Sequence, residues 1–594
     1  MGAFLKNAMN DKKRFLLLFL LIVAGVELAI AQAAAPSRSS AAIANPQSRK
    51  IDRDLMEITI PKLEELYRTH QYTVTDAVQW YIDRIERYNG IYRAVQTLDV
   101  AGALAVAKRL DAEAKAGGTH FVRGPLWGVP VLTKANTSVQ GLVTTDGWKG
   151  YAIPGLELLA SRDATIIVKI RKAGAVILGQ TNMPDFAASD TNRSSLCGRT
   201  GNAYDVRFSP GGSSGGTVTA LTANFALLGT GTDTGNSIRM PSATSAVVGV
   251  FPTRGLVSIA GIAPLDWLLD NTGPIARTVT DAAIALDVMA GEDALDPRTV
   301  GSAAKAQAHP YTNYLKADAL KGKRFGVPAF FFQGSGIPFQ GIPAARTPKE
   351  VSQDREDARL PLTPETREAF LKALEGLRAA GATVVMDDSI LSGSFPEVAS
   401  RIGTTPYVRE GTEKFLAQWG PARYHSIEEY EKAARATVPG DIIIGVDAGR
   451  TDRRPIIANI ETDPQAEANY YAPQKQALEI YDQTLDRMHL DGYVYPATQM
   501  PPPDETMPQD GKISEGPHSD TGYVNMLGVP AVVVPGGFYP SGLPFGLEIS
   551  TKRWHDGDLI GWGYAYEQAT HHRKPPVLVE QGLLRKPVQC LTPP

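Results

Sequence analysis

Apolar residues recur at helical spacing between Ile51 and Tyr92: Leu63, Leu66 and Tyr67, then Val78, Tyr81, Ile82 and Ile85. A further helix is predicted over Ala101–Ala116. The turn Gly124-Pro125-Leu126-Trp127-Gly128 then leads into an apolar run from Val129 that ends at Lys134 and reads as a buried strand. Ser161 to Ala173 reads as a helix closed by Gly174, followed by the strand Ala175–Leu178 and a turn at Gly179. The same order returns downstream. Thr363 and Pro364 open a helix, Phe370, Leu374 and Leu377 share its face, and Gly381 precedes Thr383-Val384-Val385-Met386. Apolar strands around Val532–Val534 and Leu543–Ile549, and a helix from Asp558 to Thr570, complete the pattern. Helices alternating with short apolar strands predict an α/β fold. Phe330–Arg355 and Pro496–Gly516 are rich in Gly, Pro and polar residues and read as inserted loops. No linker between Ile51 and Pro575 is polar and long enough to mark a break. Residues 51–580 are therefore assigned to one large domain, and 581–594 to a C-terminal tail.

The N-terminus has a different pattern. Lys6, Lys12, Lys13 and Arg14 precede the apolar run Phe15–Val26, and small residues at Ala29, Ala31 and Ala33 offer cleavage sites. Residues 1–31 read as a signal peptide cleaved near Ala31 or Ala33, and 32–50 as a flexible lead-in. Export to the periplasm or medium is expected, with no stable membrane association after cleavage. An uncleaved anchor is the competing reading, although the run falls short of the about 20 apolar residues of a membrane span. With only Cys197 and Cys590, the chain has either one bridge or two unpaired thiols.

Composition narrows the classes. An apolar share of 43%, a charged share of 21% and a net charge of -3 fit a soluble globular protein without an electrostatic footprint for nucleic acid. There is no repeat of solenoid or propeller period and no zinc-type Cys/His spacing, so neither metal nor cofactor is expected.

Candidate chemistry concentrates in two glycine-rich turns, SPGGSSGG at Ser209–Gly216 and GTDTGNSIRMP at Gly231–Pro241. Glycine allows φ > 0 and close approach to the backbone. Ser237, following Gly235 and Asn236, is thus flanked by uncovered backbone N–H groups, as an oxyanion hole requires. Taken alone, such a serine more often serves local hydrogen bonding. A phosphate-binding loop finds weak support, because no lysine follows Gly215 or Gly216 and no G-x-G-x-x-G joins a strand to a helix. G-x-S-x-G occurs around Ser213 and Ser214, but Ser209-Pro210 rather than an apolar strand precedes it. A nucleophilic serine needs a base. None of the nine histidines lies in this block, so a Ser-His-Asp triad would need a base from far along the chain. Lys134 offers another route, since burial lowers a lysine's pKa. A strand-end lysine with its amine in water is the competing reading.

The combination is more specific than its parts. Ser213 and Ser237 lie 24 residues apart, and the flanking pieces are GVPVLTKAN at Gly128–Asn136, SRDATIIVKIRKAGAVILGQTNMPDFA at Ser161–Ala187, and GVPAVVVPGG with GLPFGLEI near the C-terminus. Over roughly Ile51 to Pro575 the chain resembles the amidase signature family of serine hydrolases. The resemblance implies a central mixed sheet flanked by helices and a Ser-Ser-Lys triad. Ser237 would attack the carbonyl carbon, Ser213, preceded in the family by a cis peptide bond, would relay the proton, and neutral Lys134 would accept it. The N–H groups of Thr234, Gly235, Asn236 and Ser237 would hold the oxyanion, and the backbone at Ala187 would line the pocket. The chain departs from the family at Asn236, where many members have glycine, at Ser242, where they have alanine, and at Asn202-Ala203, where Asn-Pro is frequent. Asparagine tolerates left-handed backbone, so the turn would keep its shape. Its side chain would then narrow the pocket or touch the acyl group.

Three functions follow. The main expectation is an exported amidase that cleaves the C–N bond of a linear carboxamide, with esters as a second class. A glutaminase-type subunit of an aminoacyl-tRNA amidotransferase is the alternative; it would work in the cytoplasm with a partner, against the export signal. The third is a non-catalytic binding protein on the same fold. The expected partner is a small-molecule amide, and acyl preference and oligomeric state are not legible.

Overall fold

The computed structural model describes residues 46–118, 121–333, 362–391, 394–438, 459–506, 516–579 and 590. The expected signal peptide, most of the lead-in and most of the tail lie outside them. So do residues 334–355 of the first expected loop and 507–515 of the second. Glu57–Pro594 form one compact unit, and a separate N-terminal unit ends at Met56. In the latter, the lead-in expected up to residue 50 gives way earlier to a helix, Pro46–Leu55. Proline at the first helical position loses nothing there, because that N–H has no intrahelical partner.

Among the described residues eleven strands form one mixed sheet. They are β1 (Val95–Leu98), β2 (Pro130–Lys134), β3 (Val176–Thr181), β4 (Leu228–Asp233), β5 (Val248–Phe251), β6 (Asn271–Ala276), β7 (Arg324–Val327), β8 (Thr383–Met386), β9 (Gly492–Pro496), β10 (Ala531–Phe538) and β11 (Pro544–Ser550). Their order across the sheet is β1-β3-β2-β4-β6-β5-β10-β11-β9-β7-β8. β2 runs parallel to both β3 and β4, and β7 runs parallel to β8 and β9. The remaining pairs are antiparallel. Strands β2, β3 and β4 are buried along their whole length, as parallel strands covered on both faces are.

Five helices carry the argument: α1 (Thr165–Lys172), α2 (Gly215–Thr222), α3 (Arg239–Ala243), α4 (Pro364–Ala379) and α5 (Asp556–Thr570). α4 begins where Thr363 and Pro364 predicted, with the Thr363 side chain accepting from the Thr366 N–H. The predicted helix over Ala101–Ala116 spans Val100–Gly117. α1 starts four residues later than Ser161, because the Ala164 N–H donates to the Ser138 carbonyl at 2.8 Å and holds the chain outside the helix.

The chain between Met386 and Gly492, to which the sequence pattern assigned no element, includes helices over Val408–Trp419, Ile427–Ala434 and Ala472–Met488. Phe415, Trp419, Tyr424 and Tyr430 from this stretch pack with Trp148, Tyr151 and Phe186 in one buried aromatic cluster. Phe330–Gln333, expected as the start of a loop, is a helical turn. Cys197 and Cys590 form a disulfide across 393 residues with Cα atoms 5.1 Å apart, which decides between the two readings of the cysteines.

Candidate active site

Lys134 ends β2 fully buried, and its amine is not in water. Nζ lies 2.6 Å from Ser213 Oγ, 2.8 Å from Thr232 Oγ1 and 3.4 Å from the Thr232 carbonyl. The parallel pairing of β2 with β4 brings the last residues of the two strands side by side, which is how Thr232 reaches an amine 98 residues away. Asn136 Nδ2 donates to Thr232 Oγ1 at 3.0 Å and fixes that hydroxyl. Burial pushes the Lys134 amine down to about 7, although the Asp146, Asp233 and Asp270 carboxyls pull the other way. A neutral amine has two N–H donors and one lone pair. With the Thr232 oxygens taking the donors, the lone pair is left for the Ser213 hydroxyl.

Ser213 is fully buried and the Gly212–Ser213 peptide bond is cis. The Ser214 N–H donates to the Ser237 carbonyl at 3.2 Å, joining the two glycine-rich turns. Ser237 sits in the turn between β4 and α3 and is 7% exposed, while Thr234 and Gly235 beside it are more open. Among the described residues, none hydrogen-bonds the Ser237 hydroxyl, so Ser213 and Ser237 are neighbours without a hydroxyl–hydroxyl bond. Nor does any described group accept from the backbone N–H of Thr234, Gly235, Asn236 or Ser237. Four successive N–H groups without a described acceptor thus stand beside a serine, as a site that receives an oxyanion requires.

A buried charge network holds this turn. Arg239 is fully buried between Asp233 (Nε to Oδ2, 3.1 Å) and Glu548 (Nη1 to Oε1, 2.8 Å), and it also donates to Thr521 Oγ1 at 2.8 Å and to the Gly235 carbonyl. Asp233 Oδ2 accepts from the Ile238 N–H at 3.0 Å, and Asn525 Nδ2 donates to the Asp233 carbonyl at 2.8 Å. The Thr234 hydroxyl donates to Asp270, whose carboxyl is pushed up to about 7 by burial. Asp146 is buried near Lys134, and burial holds its carboxyl well above the usual range. Around Lys134, burial therefore favours the neutral amine and the neutral carboxyls of Asp146 and Asp270, while Asp233 and Glu548 are paired with Arg239.

All seven residues singled out in the sequence are buried or half-buried, and the structure brings Lys134, Ser213 and the Thr234–Ser237 turn together. Ala187 is 5% exposed and follows Phe186; both are left-handed, at φ 60° and 55°. Ala187 packs with Ala135, the residue after Lys134, and with Met183. One expectation is corrected: neither Gly235 nor Asn236 is left-handed, so asparagine is not tolerated here for its backbone freedom. Sequence reasoning missed Thr232, Asn136, Asp233, Arg239, Asp270 and Glu548. Only Glu548 had a signal, an acid inside the apolar run Pro544–Ser550.

The Amidase family model matches residues 76–340 and 338–560. The chain belongs to the amidase signature family. A glutamyl-tRNA(Gln) amidotransferase subunit of Alkaliphilus metalliredigens is 32% identical over 86% of this chain and 96% of its own length. The protein of that name from Exiguobacterium sibiricum is 31% identical over 87% and 98%. Among solved structures, the peptide amidase from Stenotrophomonas maltophilia superposes with a TM-score of 0.70 at 29% identity, covering 88% of this chain and 99% of that one. As an amidase signature enzyme, the protein acts on carbon–nitrogen bonds of amides, and its large mixed sheet flanked by helices is the fold of those structures.

Proposed function

We propose that the protein hydrolyses the C–N bond of a linear carboxamide through an acyl-enzyme on Ser237, and esters as a second class. The observation that carries this reading is the 2.6 Å contact between a buried Lys134 amine and the Ser213 hydroxyl, one peptide away from the Ser214–Ser237 backbone bond. Ser237 Oγ forms a bond to the carbonyl carbon as its proton passes to Ser213 and the Ser213 proton to the Lys134 lone pair. The oxyanion is received by the N–H groups of Thr234, Gly235, Asn236 and Ser237. The C–N bond breaks as the proton returns through Ser213 to the departing nitrogen, and water then releases the acid. No described residue bonds the Ser237 hydroxyl, which is free to turn about its Cα–Cβ bond towards Ser213; catalytic hydrogen bonds often tighten only with substrate in place. The backbone at Ala187 lines the acyl pocket.

We further place the working protein outside the cytoplasm. The N-terminal basic and apolar pattern and the Cys197–Cys590 disulfide support this, since disulfides persist in oxidising compartments. Fractionation of cells producing the full chain is the check: recovery of an unprocessed protein from the cytoplasm would remove this part.

A second reading has an observation of its own. The curated relatives are subunits of an amidotransferase, and their likeness favours a glutaminase-type subunit that hands ammonia to a partner. One experiment separates the two. Purified full-length chain, without partners, is given free carboxamides and, separately, glutamine. Turnover of carboxamides that disappears in Ser237→Ala supports the first reading. Activity on glutamine alone, arising only when a copurifying protein is added, supports the second.

A further inference from the structure

The SPGGSSGG turn is seated on a stretch of chain that the proposed chemistry does not use. A Cβ on Gly212 would stand 2.5 Å from the Ser189 carbonyl oxygen, one on Gly215 2.6 Å from Asn192 Cβ, and one on Gly216 2.1 Å from the Asn182 carbonyl oxygen. Glycine is what lets the segment Asn182–Asn192 approach so closely. Asn192 is fully buried, and its Oδ1 accepts from the Gly215 N–H at 3.1 Å. That N–H is the first of α2 and has no acceptor within the helix. Ser214, at the cap position, makes no side-chain cap bond; its hydroxyl donates instead to the Thr232 carbonyl at 3.2 Å. α2 is thus capped from outside, by a side chain 23 residues earlier. Asn192 is itself fixed. Its Nδ2 donates to the Asn182 carbonyl at 3.1 Å and to Thr200 Oγ1 at 2.8 Å, so both donors and the acceptor are engaged. The Asn192 carbonyl accepts from the Thr200 N–H at 2.8 Å, beside the paired strands Arg193–Ser194 and Gly198–Arg199. The loop joining those strands is tied down by the Cys197–Cys590 disulfide.

We infer that Asn192 is a positioning residue for the reaction: by holding the first N–H of α2, it keeps the Ser213 hydroxyl within bonding reach of the Lys134 amine. The inference rests on the proposed relay through Ser213. Ser213 lies two residues before Gly215, and its Oγ is 2.6 Å from Nζ. Without the Asn192 oxygen a buried N–H loses its acceptor, and the first turn of α2 regains one only by moving. A hydrogen bond weakens steeply as it lengthens or bends, and a misplacement of about 1 Å costs a catalytic group about 100-fold in rate. The polar atoms of the Asn192 side chain are all engaged with the protein, so it acts on the reaction only through Ser213.

The test uses the full-length protein and two variants of similar side-chain volume, Asn192→Asp and Asn192→Leu. Both lose the two Nδ2 donations, and only Asn192→Asp keeps an oxygen for the Gly215 N–H. Rates are measured on acetamide, hexanamide and benzamide and counted per folded molecule. In Asn192→Leu kcat should fall by about 100-fold with KM within about threefold of wild type, while Asn192→Asp keeps kcat within about tenfold. If Asn192→Leu does not fold, Asn192→Ala takes its place. Equal losses in the two variants would leave Asn192 a role in its own loop alone and overturn the inference, as would a loss confined to KM. If the wild type turns over none of the three amides, the reading of Ser237 as a carboxamide hydrolase fails on its own, and a crystal structure of Asn192→Leu decides the inference. A separation of Lys134 Nζ from Ser213 Oγ beyond about 3.5 Å upholds it, and one unchanged from 2.6 Å overturns it.

Discussion

Two stretches of this chain look alike in sequence and end in different places. α1, Gly174 and β3 form one helix–glycine–strand unit; α4, Gly381 and β8 form the other. Both glycines are left-handed, at φ 97° and 94°, and both strands pair in parallel with a neighbour. β3 lies between β1 and β2 and is buried throughout, whereas β8 closes the edge of the sheet, with Met386 48% exposed. The neighbours differ accordingly. Beside β3 stands Lys134, dry and next to a serine. Beside β8, just ahead of β7, stands Lys323, paired with Asp491 at 2.9 Å and reached by water. The same local grammar thus stands beside a dry amine at the centre of the sheet and an ordinary ion pair at its rim, because desolvation depends on what covers a strand and not on the strand itself.

The comparison is sharpest when the two lysines are removed. Lys134→Ala should lower kcat/KM on a carboxamide by about 10⁴-fold, as loss of a member of a catalytic unit does. Lys323→Ala should leave kcat/KM unchanged and shift stability by no more than about 1 kcal/mol, the worth of an exposed ion pair. Equal effects in steady-state assays would end the contrast. Packing comes next. Ile177→Ala in β3, where the side chain is 5% exposed, should destabilise by about 2–5 kcal/mol in denaturant unfolding. Met386→Ala in β8 should stay within about 0.5 kcal/mol.

The pH profile bears on the inner lysine, and Lys134→Ala separates its titration from that of Asp270, which is also pushed up to about 7. The base must be neutral, and burial has brought its pKa down to about 7. Below that value the amine binds a proton and loses its lone pair. Log kcat/KM should therefore climb by about one per pH unit below 7 and level off above it. A profile flat from pH 5 to 9 would remove Lys134 from the base role. The smallest effect tests the outer unit. Thr363→Ala should cost about 1 kcal/mol through its lost cap, whereas α1 has Ala164 at its cap position and makes no side-chain cap bond.

What was legible followed from local chemistry. The start of α4, the buried run into Lys134, and the glycine-rich serine turns each rest on residues close together in the chain. β4 was hidden because LGTGTD has no strand-like alternation. Its glycines answer to a neighbour instead: a Cβ on Gly229 would run into Thr217 of α2. Arg239 carried no legible role, since its partners Asp233, Thr521 and Glu548 converge on it from three separated stretches. The reading of Asn236 as a tolerated left-handed residue failed for a related reason, because φ is set by the whole turn and not by residue type.

The sequence by itself determined the α/β class and pointed to the candidate triad members and the glycine-rich serine turns, since each depends on residue type and short spacing. Only the tertiary structure decided that Lys134 is dry, that Thr232 and Asn136 position its lone pair, and that Cys197 reaches Cys590. Burial and hydrogen bonding between distant segments are properties of packing, and packing exists only once strands 98 residues apart lie side by side.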